Sequence, residues 1–195
     1  MIVATVLRSG GDFKPEHVIL LRDQIAKHTP AAKFVCLSDV EIEGVDTIPL
    51  IMGWPGWWSK IELFRPGIFR EPVVYFDLDT VILSDISGFE RKRLTMLKGP
   101  ISNGPASGVM AWGYDYSHIF KEFKRNPGIM HFCNTRVNWG DQGFIRMAAQ
   151  VEIDLFTEGL CSYKMGQFSQ GCKIIYFHGK PRPWETDIYK KLGYE

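Results

Sequence analysis

Two carboxylates separated by one residue, Asp77 and Asp79 in Val73-Val74-Tyr75-Phe76-Asp77-Leu78-Asp79-Thr80-Val81-Ile82-Leu83, are the part of this sequence best suited to chemistry. Side chains two apart on an extended strand leave from the same side, so the pair is expected to aim at one point. Like charges that close repel unless a proton or a cation lies between them. A hard divalent ion, Mg²⁺ or Mn²⁺, relieves that repulsion, takes oxygen ligands and can hold phosphate groups at the same time. An isolated Asp-x-Asp is usually a solvated turn. The apolar runs on both sides favour a buried strand that ends at a ligand, as in the sheets of α/β proteins.

Other stretches carry groups that could serve such a site. Lys173-Ile174-Ile175-Tyr176-Phe177 reads as a strand, and His178-Gly179-Lys180-Pro181-Arg182-Pro183-Trp184 follows it. An imidazole with two cations in a Gly/Pro-rich loop makes a metal or phosphate corner. Ser59-Lys60-Ile61-Glu62 fits a capping box, with Ser59 as N-cap and Glu62 reaching back, opening a short helix closed by Pro66-Gly67. Lys60 would then lie in a first turn that prefers negative charge, where it suits an anionic or hydroxylated ligand; a solvated lysine is the plainer alternative. In Asn138-Trp139-Gly140-Asp141-Gln142-Gly143, Asp141 reads equally as a helix N-cap or as a ligand group. Trp54, Trp57 and Trp58 fall within five positions, and indoles both fill cores and stack on sugar rings.

The elements that must position these groups follow from pattern. Ile2 to Leu7 is a first strand broken at Arg8-Ser9-Gly10-Gly11-Asp12, and a helix runs from Pro15 to His28 with Val18, Leu21 and Ile25 on one face. Strands are predicted over 33–37, 45–50 and 109–112, with a tight loop over 103–108 before the last. Helices are predicted over 115–125 and from about 141 onward. At 195 residues, 45% hydrophobic and 23% charged, the chain suits one domain over 1–195 with a sizeable core. A net charge of +1 gives no general attraction to nucleic acid or an anionic membrane, so anion recognition must be local. Cys36, Cys133, Cys161 and Cys172 have no metal-finger spacing and read as reduced thiols of a cytoplasmic protein. The short apolar N-terminus lacks a basic leader and is better used as a strand than as a signal peptide or membrane span.

Taken in order, these segments resemble the metal-dependent nucleotide-sugar glycosyltransferases of the GT-A fold, most closely glycogenin-like, family 8-like members and related bacterial and phage-type ones. The resemblance covers most of the chain. It implies an α/β, Rossmann-like single domain with a mostly parallel central sheet flanked by helices. It implies that Val6, Leu7, Arg8 and Ser9 hold the nucleotide and that Lys60 meets the donor. Asp77 and Asp79 would bind the metal, with Asp77 also near the ribose, and His178 would be the third protein ligand. Ser107 and Gly108 match the sugar loop, while Asp141 and Gln142 match the Asp-Gln-Gly segment that orients the donor sugar. Lys180 or Arg182 would contact the phosphates. Ala106 stands where the family has an asparagine, and the loop after His178 is shorter than the family's.

The resemblance implies transfer of a sugar from a nucleotide-diphosphate sugar, a UDP-sugar by family habit, with Mn²⁺ or Mg²⁺ and with retention of configuration. The acceptor, a glycan, lipid or protein, is left open. Two other classes compete. Phe76 to Val81 also fits the first motif of haloacid-dehalogenase-type phosphatases, with Asp77 as nucleophile and Asp79 as acid/base, although that motif normally lies on a first strand. A non-catalytic nucleotide-sugar-binding module is the third. The leading assignment needs His178 near the acidic pair, or at least a basic cleft beside that pair.

Overall fold

A computed structural model describes residues 1–101, 103–135, 138–166 and 170–194. In chain order it contains β1 (Ile2–Leu7), α1 (Pro15–His28), β2 (Lys33–Ser38), β3 (Asp46–Pro49), β4 (Val73–Phe76), β5 (Thr80–Ile82), β6 (Thr95–Lys98) and β7 (Pro105–Trp112). There follow α2 (Ser117–Arg125), α3 (Gly140–Ala148), β8 (Asp154–Phe156), β9 (Leu160–Ser162), β10 (Ile174–Tyr176) and α4 (Ile188–Lys191). Tight 3-10 turns join several of them, the longest at Gly56–Phe64.

The main sheet has the order β3-β2-β1-β4-β7-β6-β8. It is parallel from β3 through β4, turns antiparallel at β7, and is parallel again between β6 and β8. This is the mostly parallel α/β architecture that the sequence predicts. All four residues of β4 are buried, as an unbroken apolar run requires when both faces of the strand are covered. Tyr75 packs on one side with Trp54, Trp58 and Phe123, and Val74 and Phe76 on the other with Val18, Leu21 and Ile25 of α1. A smaller sheet, β5-β10-β9, lies beside the first.

Gln24 fastens α1 to that second sheet. Its Oε1 accepts the Ile82 N–H at 2.8 Å and its Nε2 donates to the Leu20 carbonyl at 3.1 Å, with the side chain wholly buried. Gln24→Leu leaves the Ile82 N–H without a partner in the core and is expected to cost about 1–3 kcal/mol, read as a lowered urea midpoint.

Four expectations change locally. The helix around Lys60 is a 3-10 segment that starts at Gly56, so Ser59 is not its cap; the Ser59 hydroxyl donates to the Gly56 carbonyl instead. Glu62 does not reach back to a cap but turns to the preceding loop, accepting the Ile51 and Met52 N–H groups and pairing with Arg65. The loop expected over 103–108 is largely strand, because the pairing of β6 with β7 jumps from Met96↔Met110 to Leu97↔Ala106. Finally, Cys161 and Cys172 are joined as a disulfide, while Cys36 and Cys133 are free and buried. Cys161 lies in β9 and Cys172 two residues before β10, the strand beside it, a proximity that their spacing of 11 residues does not disclose. Among the described residues no helix is long and apolar enough to cross a membrane.

Candidate functional site

A cavity of about 1130 Å³ opens at the carboxyl end of β1 and β4. In open α/β sheets this is where ligands bind, in the crevice outside the carboxyl ends of the strands where the strand order reverses. Val6, Arg8, Lys60, Asp77, Asp79, Ser107, Gly108, Asp141, Gln142, His178 and Arg182 all line it, so most of the residues singled out in the sequence meet in one place. Three do not send a side chain there. Leu7 alternates with Val6 and is buried in the core. Ser9 holds Asp39, its hydroxyl donating at 2.6 Å and its N–H at 2.8 Å. Lys180 points to solvent and pairs with Glu185 at 3.2 Å. Of the two candidate phosphate cations, Arg182 is the one at the cavity.

The acidic pair is arranged differently from the strand alternation expected. β4 stops at Phe76, and Asp77 to Asp79 form a turn closed by the Thr80 N–H donating to the Asp77 carbonyl at 3.1 Å. Thr80 then begins β5 in the other sheet. The two carboxylates face one cavity because the turn is tight. Asp77 has three fixed partners. Its N–H donates to the Gly108 carbonyl, and its Oδ1 accepts from the Tyr75 hydroxyl and lies 2.9 Å from Lys60 Nζ. A Cβ at Gly108 would lie 3.4 Å from Asp77 Oδ2, so β7 passes in van der Waals range of the acidic turn.

Lys60 is the electrostatic centre. It is 6% exposed, lies 2.9 Å from Asp77 and 3.1 Å from Asp141, and donates to the Ser107 hydroxyl at 3.2 Å. Burial alone would favour the neutral amine, but Asp141 and Asp77 outweigh it and hold the Lys60 pKa above its usual value. Asp141 therefore spends its carboxylate on Lys60, and the N-cap of α3 is Trp139. The three-residue offset between β6 and β7 has the same outcome, turning Ser107 toward the lysine.

Asp79 is 5% exposed and pairs with the Arg182 guanidinium, which also lies 3.7 Å from Asp12 Oδ2. Burial first, and the neighbouring Asp77 second, raise the Asp79 pKa despite the pull of Arg182 and Lys60. The basic cleft beside the acidic pair is thus present, made of Arg8, Lys60 and Arg182. The imidazole is placed otherwise: His178 Nε2 lies 3.1 Å from the Ser162 hydroxyl. Among the described residues no three His, Cys, Asp or Glu side chains are grouped closely enough to hold a metal. The expected convergence of Asp77, Asp79 and His178 is therefore not preformed. In donor chemistry Asp77 and Asp79 suit a hard divalent ion, since both offer carboxylate oxygens to the cavity.

Sequence reading missed Tyr75, Asp12 and Trp139. Tyr75 had a usable signal: it precedes Asp77 by two in an extended run, so the two side chains share a side. Asp12 and Trp139 lie in loops, where no periodicity ties a residue to a site.

No protein-family model matches the sequence, and no curated protein matches it. Solved structures do match the fold. The glycosyltransferase GlyE of Streptococcus pneumoniae TIGR4 superposes with a TM-score of 0.68 at 15% identity, over 94% of this chain and 56% of GlyE. LgtC, a galactosyltransferase solved with donor and acceptor sugar analogs, superposes with a TM-score of 0.67 at 10% identity, over 96% of this chain and 91% of LgtC. An active-site mutant of LgtC gives the same TM-score. This chain thus spans a little over half of GlyE and nearly all of LgtC.

Proposed function

We propose that this chain is a nucleotide-sugar glycosyltransferase that uses a UDP-sugar and a divalent ion, with retention of anomeric configuration. The observation that carries the reading is the set of charges in one cavity at the carboxyl edge of the sheet: Arg8, Lys60 and Arg182 interleaved with Asp77, Asp79 and Asp141. A diphosphate needs the cations, and a metal and sugar hydroxyls need the acids. The fold shared with GlyE and LgtC points the same way.

On this reading Asp77 and Asp79 would hold the ion, and His178, which lines the same cavity beside Ser162, would be the third protein ligand. When bound, the ion supplies positive charge to the departing diphosphate. Arg182 adds a guanidinium suited to bidentate phosphate contact, and Arg8 a second from the end of β1. Lys60, kept charged by its two carboxylates, would set fixed positive charge beside the donor, its three N–H groups turned to Asp77, Asp141 and Ser107. Asp141 and Gln142, in the first turn of α3, orient the sugar hydroxyls. Tyr75 keeps Asp77 in place by donating to it.

Thermal unfolding with a panel of nucleotide-sugars and Mn²⁺ tests this. A UDP-sugar at about 100 times its Kd is expected to raise Tm by roughly 5–10 °C. Asp79→Ala or chelation of the ion abolishes that rise. Protection by beryllofluoride without nucleotide favours the phosphatase, and protection by a UDP-sugar with no donor hydrolysis favours the binding module. No protection by any nucleotide-sugar overturns the proposal.

A further inference from the structure

Of the three clustered tryptophans, two are spent on the core. Trp54 meets Phe123 edge to face with ring centroids 4.6 Å apart, and Trp58 stacks on the same ring at 5.1 Å. Trp57 is 53% exposed and lines the cavity. Trp139, just before α3, is also 53% exposed and lines the same cavity. The two flank one point: a Cβ on Gly140 would come 3.1 Å from Trp57 Nε1, and Gly140 directly follows Trp139. Gly140 has φ +59°, which a residue without a side chain adopts at least cost, and its bareness lets the Trp57 indole lie against the start of α3.

Half-exposed indoles are apolar surface that a fold would ordinarily bury, and here both stand beside the reacting groups. Trp57 is three residues before Lys60, and Trp139 two before Asp141. Val6 and Arg8, the residues assigned to the nucleotide on the reading above, line the cavity from the end of β1 instead. At about 1130 Å³ the cavity also exceeds the roughly 300–1,000 Å³ of a site for one small ligand. Gly99, Pro100 and Ile101, in the turn after β6, complete its lining without adding a charge. A region that combines exposed aromatic faces, indole N–H donors and the partly exposed amide of Gln142 suits a pyranose, which has apolar C–H faces and a hydroxyl rim.

We propose that Trp57 and Trp139 form the acceptor platform and that the acceptor is a saccharide, bound with a ring against these indoles. This rests on the glycosyltransferase reading and narrows its acceptor from glycan, lipid or protein to a sugar.

The test uses protein labelled with 5-fluorotryptophan, its six ¹⁹F resonances assigned by single Trp→Phe variants, and titrated with lactose, maltose and methyl glucosides with UDP and Mn²⁺ present. The expected result is that at least one saccharide shifts the Trp57 and Trp139 resonances and leaves those of Trp54 and Trp58 in place. In transfer assays with that saccharide, Trp57→Ala and Trp139→Ala raise the acceptor KM about three- to tenfold, while the donor concentration that gives half-maximal thermal protection moves less than twofold. Saccharides that shift neither resonance, or a free nucleotide base that shifts both, overturn the platform. So does an alanine variant that weakens donor and acceptor equally. Failure of the glycosyltransferase reading would show separately, as absence of donor protection in the unsubstituted protein.

Discussion

Lys60→Ala is expected to lower Tm by roughly 10 °C and to abolish protection by any nucleotide-sugar. The ammonium lies among the Asp77, Asp141 and Ser107 side chains, and its removal leaves Asp141, itself 6% exposed, without a counter-charge. Breaking a buried ion pair from one side costs about 3–5 kcal/mol, because the orphaned charge has already left water. In a chain of this size each kcal/mol moves Tm by roughly 2–4 °C. The charge-balanced pair Lys60→Met with Asp141→Asn separates stability from function. It should recover most of the lost Tm, since the cation and its buried partner Asp141 are both gone and the remaining partner, Asp77, is 32% exposed, yet still bind no donor. Recovery of donor protection in that double variant would remove Lys60 and Asp141 from the assigned site.

Gly143→Ala is expected to disrupt activity more than its mild chemistry suggests. In a helix interior alanine normally gains about 1 kcal/mol over glycine. Here a Cβ would meet the Asn138 carbonyl carbon at 2.6 Å and its Cα at 2.7 Å, and backbone atoms cannot move aside as the end of a flexible side chain can. The first turn of α3 must then shift away from the loop before it, carrying Asp141 and Gln142. A net loss of about 1–3 kcal/mol in urea unfolding and at least a tenfold drop in turnover follow. Gly140→Ala is the comparison: its nearest contact is the Trp57 side chain at 3.1 Å, which can yield, so its cost is mainly that of the left-handed backbone. A stabilised Gly143→Ala would show that loop and helix do not pack as described.

Much of this was legible in the residues because burial leaves a pattern. The β4 run and the α1 periodicity mark their elements, and Asp77, Asp79, Lys60 and Asp141 mark the cavity. What escaped depended on pairing between distant segments. The side chain of Glu62 finds its hydrogen bonds in residues 51 and 52 rather than at the start of its own turn, a choice that only the folded loop makes available. Ser107 is in a strand and not a loop because β6 and β7 slip by three residues, which local propensity does not encode. Asp141 offers the same carboxylate for a cap or for Lys60, and the partner is decided by the tertiary approach of the Gly56–Phe64 segment. Lys180 and Arg182 are alike in type and two apart, and the loop separates them, one to solvent and one to Asp79.

Because β7 runs against β4, it presents its first residues, not its last, to the edge where β1 and β4 end. The hairpin turn joining β6 to β7 therefore lies at the cavity, where the Gly99 N–H donates to the Gly104 carbonyl and the Asn103 N–H to the Gly99 carbonyl. The turn joins two neighbouring strands of the sheet, so insertions there would alter the mouth of the cavity. Laboratory diversification aimed at a new acceptor belongs in this turn, where the scaffold tolerates most change at least cost in stability.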